Sequence, residues 1–231
     1  MERSQPGRSG RDELSNPKKS LYLRAMADRI SDTKERLLRA GEQLFRTQGY
    51  VGTGLKELSQ TAAAPWGSMY HYFPGGKDQL GVEVLVFAGE KGRAGIQAAF
   101  DHYGDPGAAV ERIFTNEVKT LETSDFRDGC PIAAVTLDMA SVNEPLRSAC
   151  ADNFGLWLEA FKRGFLAAGA PEETAAALAG FVLSTLEGAI VLSRAAKDPS
   201  PLRRSASFLR PLIDREAKTW RATHHSAART P

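Results

Sequence analysis

Five prolines, Pro106, Pro131, Pro145, Pro171 and Pro199, each open a stretch whose apolar residues recur at helical spacing. Proline is tolerated in the first turn of a helix, where its missing N–H has no partner to lose, and is costly further in. Short links rich in Gly, Asp and Ser separate the stretches. The spacing predicts helices over Asp78–Ala99, Pro106–Glu122, Pro131–Val142, Pro145–Ala168, Pro171–Ala196 and Pro199–Thr219. No alternating apolar–polar run of strand length competes with them, and no repeat at a solenoid period is present. A chain punctuated in this way is expected to be all-α.

Three shorter helices are expected ahead of these. Asp32 is a good N-cap, with Glu35 in the first turn to complement the helix dipole. Leu37, Leu38, Gly41, Leu44 and Phe45 then share one face, and Gly49 closes the helix. Thr53 can cap a second helix carrying Leu55, Leu58 and Ala62, and Pro65 suits the first turn of a third. Met69 and Phe73, four apart, would pack that third helix on the other two. The expected organisation is a basic arm over residues 1–30, a three-helix head over 31–79, a larger helical body over 80–221 and a tail over 222–231. The arm is rich in Arg, Lys, Ser, Gly and Pro and has too little apolar surface to order itself.

Composition excludes some classes and supports none strongly. A net charge of +2 is too small to argue for nucleic acid, so that case must rest on local arrangement. Two cysteines, Cys130 and Cys150, supply neither a disulfide framework nor a zinc site, and small buried thiols are the expected case. The N-terminus lacks an apolar signal core. The longest apolar region, Leu178–Leu192, is broken by Ser184, Thr185 and Glu187, so no membrane span is expected and the cytoplasm is the expected location. His224-His225 reads as part of the tail rather than a metal site. No HExxH or GxSxG is present, Gly76-Lys77 is followed by Asp78 rather than Ser or Thr, and Gly52-Thr53-Gly54 has no strand before it. No catalytic residue, metal or cofactor is expected. A helical enzyme or a protein-binding adaptor remains the competing class.

The segment Gly67-Ser68-Met69-Tyr70-His71-Tyr72-Phe73 is dense in small and aromatic hydrogen-bonding side chains and has no carboxylate to repel phosphate. Such a helix suits the DNA major groove, because it admits close backbone approach and offers donors to phosphates and base edges. Periodicity alone leaves open a purely structural three-helix subdomain.

This segment resembles the tetracycline-repressor (TetR) family of bacterial regulators, through a helix-turn-helix followed by Gly67–Pro74 and a lysine, preceded by Leu44-Phe45, Gly49-Tyr50 and Thr53. Gly129-Cys130-Pro131-Ile132-Ala133-Ala134 and the Tyr72–Lys77 ending look similar to the lincomycin-resistance-repressor branch. The resemblance implies a regulator, usually a repressor, that binds a palindromic operator in double-stranded DNA as a homodimer and is released by a small apolar effector. It implies DNA contacts from Thr53, Lys56, Trp66, Gly67, Ser68, Tyr70, His71, Tyr72 and Lys77. It further implies dimerisation through the last two helices. Three positions depart from the family pattern. Ala63 stands where glycine is usual, so the turn must avoid or tolerate a positive φ. Two glycines precede Lys77. Trp66 replaces a polar residue, and either stacks in the groove or packs against helix one.

Such a regulator needs an apolar cavity with a few polar groups. Phe114, Trp157, Phe161 and Phe181 are the expected wall residues, with Asp138 and Asn153 as polar groups to orient a ligand. Aromatics at helical spacing are more often plain core.

Overall fold

The computed structural model describes the backbone of residues 17–227 and the side chains of residues 32–220. Among the described residues the chain is all-α, with nine helices and no strand. Helices α1 (Pro17–Gly52), α2 (Leu55–Thr61) and α3 (Trp66–Tyr72) form the head. The body comprises α4 (Gly76–Tyr103), α5 (Pro106–Thr123), α6 (Pro131–Met139), α7 (Glu144–Ala167), α8 (Glu172–Ala196) and α9 (Ser200–Ala227).

The proline punctuation works together with side-chain caps. Asp105, Cys130 and Asn143 accept from the backbone N–H groups of Ala108, Ala133 and Leu146, one or two residues before the prolines of α5, α6 and α7. Each cap satisfies one of the orphan donors of its first turn. Gly49, at φ +73°, breaks the helical path of α1, in line with its reading as the end of that helix. A side chain there would also strike the Asp138 carboxylate.

Three boundaries differ from expectation. Helix α1 begins at Pro17 instead of Asp32, so the backbone is already helical across part of the segment read as an arm. Residues 1–16 lie outside the described residues. Helix α9 continues to Ala227 and enters the segment read as a tail; the side chains of His224 and His225 lie outside the described residues. Thr53 does not cap α2: its hydroxyl donates back to the Gly49 carbonyl at 2.7 Å, and Gly54 holds the cap position without a side chain.

In the head, Leu37, Leu44, Phe45, Leu58, Met69 and Phe73 are buried together. In the body, α4 packs along α7, α5 along α9 and α7 along α8. Close approach of α4 to α7 depends on Gly89 and Gly92, where an added Cβ would overlap Asn153 and Trp157. The Trp157 indole N–H donates to the Gly89 carbonyl at 2.8 Å, which satisfies a polar group inside this seam.

Helix α8 corrects one expectation. It is long and apolar enough to cross a membrane by length and composition, despite Ser184, Thr185 and Glu187. Nearly half of its apolar stretch is buried in the bundle. Its outward face still exposes Phe181, Val191 and Leu192, and α9 exposes Phe208.

Head and body meet through polar contacts. The Tyr50 hydroxyl donates to Asp78, Asn143 Nδ2 donates to the other Asp78 oxygen at 2.8 Å, and the Val51 N–H donates to Asp138 at 3.1 Å. The hydrogen bonds from Tyr50 and Asn143 hold the Asp78 carboxyl below its ordinary range. Burial and the Asp78 carboxylate push the Tyr50 phenol up.

Candidate nucleic-acid interface and body cavity

Helix α3 is only two turns long, so its orientation is set by what anchors it. Met69 and Phe73 are buried, and the turn before it is tied from both sides. Arg36 Nη1 donates to the Ala62 and Ala63 carbonyls at 2.8 and 2.9 Å. Ser59 Oγ donates to the Ala64 carbonyl at 2.7 Å. Ala63 adopts φ +47°, so the turn does use the left-handed conformation that favours glycine.

With Met69 and Phe73 facing inward, two columns of α3 face outward: Trp66 with Tyr70, and Gly67 with His71. Trp66 is 47% exposed and Tyr70 55%, and their rings meet edge to face at 5.6 Å. The alternative that Trp66 packs against helix one is therefore not what the fold adopts. An added Cβ on Gly67 would meet nothing within 4 Å, so no internal packing requires glycine there. Ser68 and Tyr72 are half-buried, and Tyr72 lies against the head core. Lys56 is exposed and lines, with Gln60, Ala63 and Trp66, a shallow depression of about 520 Å³.

Thr53 and Lys77 are placed differently from what the resemblance implied. Thr53 is buried, with its hydroxyl turned to Gly49. Lys77 Nζ donates to the Tyr50 carbonyl at 2.7 Å and sits 4.3 Å from the centre of the Tyr50 ring. Burial lowers the Lys77 pKa, opposed by the nearby Asp78 and Asp138 carboxylates. Lys77 thus ties the start of α4 to the end of α1, and Lys56 is the exposed cation beside the outward face of α3.

A half-open cavity of about 580 Å³ lies where α1 meets the body, lined by α1, α4, α5, α7, α8 and the segment leading into α6. Of the six residues expected to form the pocket, Trp157 and Phe161 line it. The other four lie elsewhere. Phe114 is wholly buried core. Asn153 fills the notch above Gly89 and donates to the Ala149 carbonyl of its own helix. Asp138 belongs to the head–body joint. Phe181 is 54% exposed on the outer face of α8. Glu117, Glu187 and Cys130, which are not among the expected pocket residues, also line the cavity. A signal for Glu187 existed, as the one carboxylate interrupting the apolar run Leu178–Leu192.

The polar cavity residues fall into two groups. Glu42 is paired with Lys91 at 2.9 Å, and Arg46 approaches Glu42 and Asp128 at 3.7 and 3.6 Å. Glu117 and Glu187 have no cation within ion-pair distance among the described residues. Burial raises the Glu117 pKa, with Arg46 opposing. Burial, reinforced by Glu117, pushes Glu187 up to about 7, opposed by a hydrogen bond from the Cys130 thiol. The second Glu187 oxygen, Oε2, is shut off from solvent and has no partner among the described residues. Burial also raises both cysteine thiols. Among the described residues no three His, Cys, Asp or Glu side chains converge to hold a metal.

Residues 37–84 match the family described as bacterial regulatory proteins, tetR family. Residues 106–207 match the C-terminal domain described as transcriptional regulator LmrA/YxaF-like. The chain is 33% identical over 171 residues to the uncharacterised HTH-type transcriptional regulator YxaF of Bacillus subtilis, covering 74% of this chain and 90% of that one. It is 30% identical over 184 residues to the HTH-type transcriptional regulator LmrA of the same organism, covering 80% and 98%. The fold is shared with a TetR transcriptional regulator from Legionella pneumophila, at a TM-score of 0.68, 23% identity and coverage of 79% and 95%.

Proposed function

Because the chain belongs to the TetR family of transcriptional regulators, whose members regulate transcription and are not enzymes, we propose that it is a repressor that reads its operator with the outward face of α3. In this reading residues 31–79 bind DNA, residues 80–221 hold an effector and the second subunit, and the protein works in the cytoplasm. The observation that carries it is the uncharged, exposed face of Trp66, Gly67, Tyr70 and His71. This face is held rigidly by Arg36 and Ser59, and Lys56 stands beside it. Large aromatic surface left in water on a two-turn helix is unfavourable for an isolated head and useful against thymine methyls and sugar edges. The open space beside Gly67 allows the helix backbone to approach the bases. Ser68 and Tyr72, half-buried at the edges of the face, contribute hydroxyls to the backbone of the duplex.

A palindromic operator requires two heads related by a twofold axis. The exposed apolar residues Phe181, Val191, Leu192 and Phe208 on α8 and α9 supply the surface for a homodimer. A small, largely apolar effector entering the body cavity favours one body conformation over another, and so weakens operator binding by its unequal affinity for the two. The size of the cavity and its Trp157 and Phe161 walls support this.

The test is fluorescence anisotropy with DNA from the region upstream of the protein's own gene. Saturable, salt-sensitive binding that competitor DNA does not remove is expected, and Tyr70→Ala should abolish it without changing the far-ultraviolet circular dichroism. Binding that survives both Tyr70→Ala and Trp66→Ala would remove α3 from the interface.

A further inference from the structure

The body cavity holds more charge than an apolar effector needs. Its walls are apolar over Ile113, Trp157, Phe161, Leu186 and Ile190, yet four carboxyl groups also line it: Glu42, Glu117, Asp128 and Glu187. Two of the four are matched from within the fold, since Lys91 and Arg46 serve Glu42 and Asp128. Arg39, the remaining cation on the lining, is engaged by Glu35 on the surface. Among the described residues Glu117 and Glu187 have no cation within ion-pair distance, although Arg46 lies near enough to Glu117 to favour its ionisation. The Glu117 carboxylate lies near enough to disfavour ionisation of Glu187, and Oε2 of Glu187 is shut off from solvent with no donor among the described residues.

An unpaired buried carboxyl costs stability, and a neutral side chain of the same shape would remove that cost. Groups of this kind concentrate at binding sites, where a ligand completes them. A metal ion is a poor candidate, since no third ligand converges with the two glutamates among the described residues. An anion would face two carboxyls. A positive charge on an organic body suits both halves of the lining, with the aromatic rings of Trp157 and Phe161 available to its apolar part and to its charge.

We infer that the effector is an amphipathic cation, an apolar or aromatic body bearing a protonated or quaternary nitrogen, whose charge sits against Glu117 and Glu187. This rests on the reading of the cavity as the effector site. Titration near neutrality fits it, because the Glu187 carboxyl can lose its proton when a cation arrives. The charged and titratable groups facing it are Glu117 from α5 and Cys130 ahead of α6, with Arg46 and Asp128 acting in turn on Glu117.

Two organic ions of nearly identical shape and opposite charge, tetraphenylphosphonium and tetraphenylborate, test it by isothermal titration calorimetry on the full chain. The phosphonium is expected to bind at least about tenfold more tightly, a difference of about 1.4 kcal/mol. The E117Q/E187Q double variant, close to isosteric, should bring the two ions within about threefold of each other while its circular dichroism stays unchanged. Equal or tighter binding of the borate overturns the inference and leaves the cavity reading standing, as does a preference that survives E117Q/E187Q. Binding of neither ion overturns both. Phosphonium binding that leaves operator affinity unchanged keeps the cation site and overturns its role as effector.

Discussion

Arg36 donates to the carbonyl of Ala63, the residue that turns the chain between α2 and α3 at φ +47°. A side chain from the first helix thus holds in place a backbone conformation that alanine adopts only at a cost of about 1–2 kcal/mol. Ala63→Gly should release that strain and raise stability by up to about 1 kcal/mol, after allowing for glycine's extra freedom in the unfolded chain. Arg36→Ala leaves the Ala62 and Ala63 carbonyls without their donor and should cost about 1–2 kcal/mol. Urea denaturation of the two variants measures both, and a loss of stability in Ala63→Gly would contradict the account.

Gly67 separates the needs of the fold from those of the interface. Alanine there meets no neighbour, so Gly67→Ala should stabilise the protein by about 0.5–1 kcal/mol through helix propensity. The same methyl group would stand between α3 and the bases, and operator affinity should fall by about tenfold. Thermal melts and anisotropy read the two effects in opposite directions.

Lys56 and Lys77 should behave differently in salt. Lys56 is exposed, and Lys56→Met should lower the slope of log affinity against log salt by about one. Lys77 is held against Tyr50, so Lys77→Met should leave that slope nearly unchanged and lower the melting temperature instead. A slope that falls with Lys77→Met would mean that this side chain leaves Tyr50 for the phosphates.

Glu187 gives the fold a pH dependence of known sign. Its pKa lies near 7 in the folded protein, above the ordinary value of 4.5, so folding favours the protonated form. The stability this contributes is complete below about 4.5 and is lost as pH rises through about 7. Glu187→Gln removes that loss, and its advantage over the unsubstituted protein should grow across this window to at most about 3 kcal/mol. Denaturation curves at pH 5 and pH 8 decide it, and equal differences at the two would refute it.

Leu192 and Phe208 expose apolar surface on α8 and α9. Leu192→Glu with Phe208→Glu should halve the mass measured by sedimentation and, since two heads are needed, weaken operator binding at a given concentration. A dimer that withstands both changes would place the twofold axis elsewhere.

Much of this was legible in the sequence because local rules set it. Prolines, caps and 3.6-residue periodicity located the body helices to within a few residues, apart from the C-terminal end of α9, and Met69 with Phe73 identified the buried side of α3. The cavity was not legible in the same way. Spacing shows that Phe114, Phe161 and Phe181 lie on helices, but which helices face each other decides that the first is core, the second lines the cavity and the third faces outward. Asn153 and Asp138 were polar residues in apolar runs, and their partners are a glycine notch and a backbone N–H contributed by segments distant in sequence. Lys77 stands where the family places a phosphate contact, yet its ammonium is turned by Tyr50, a residue 27 positions away.

Helix α4 begins at Gly76, just after α3, and lines the cavity from Ala88 to Ile96, with Gly92 at the middle of that stretch. At about 1.5 Å per residue Gly76 and Gly92 are roughly 24 Å apart. A rod of that length is a lever: a tilt of about 5° at the cavity moves its far end by about 2 Å, well beyond the spread of about 0.5 Å within which a hydrogen bond keeps its strength. In the proposed reading an effector therefore needs no large rearrangement to spoil operator recognition, only a small angle applied far from the DNA.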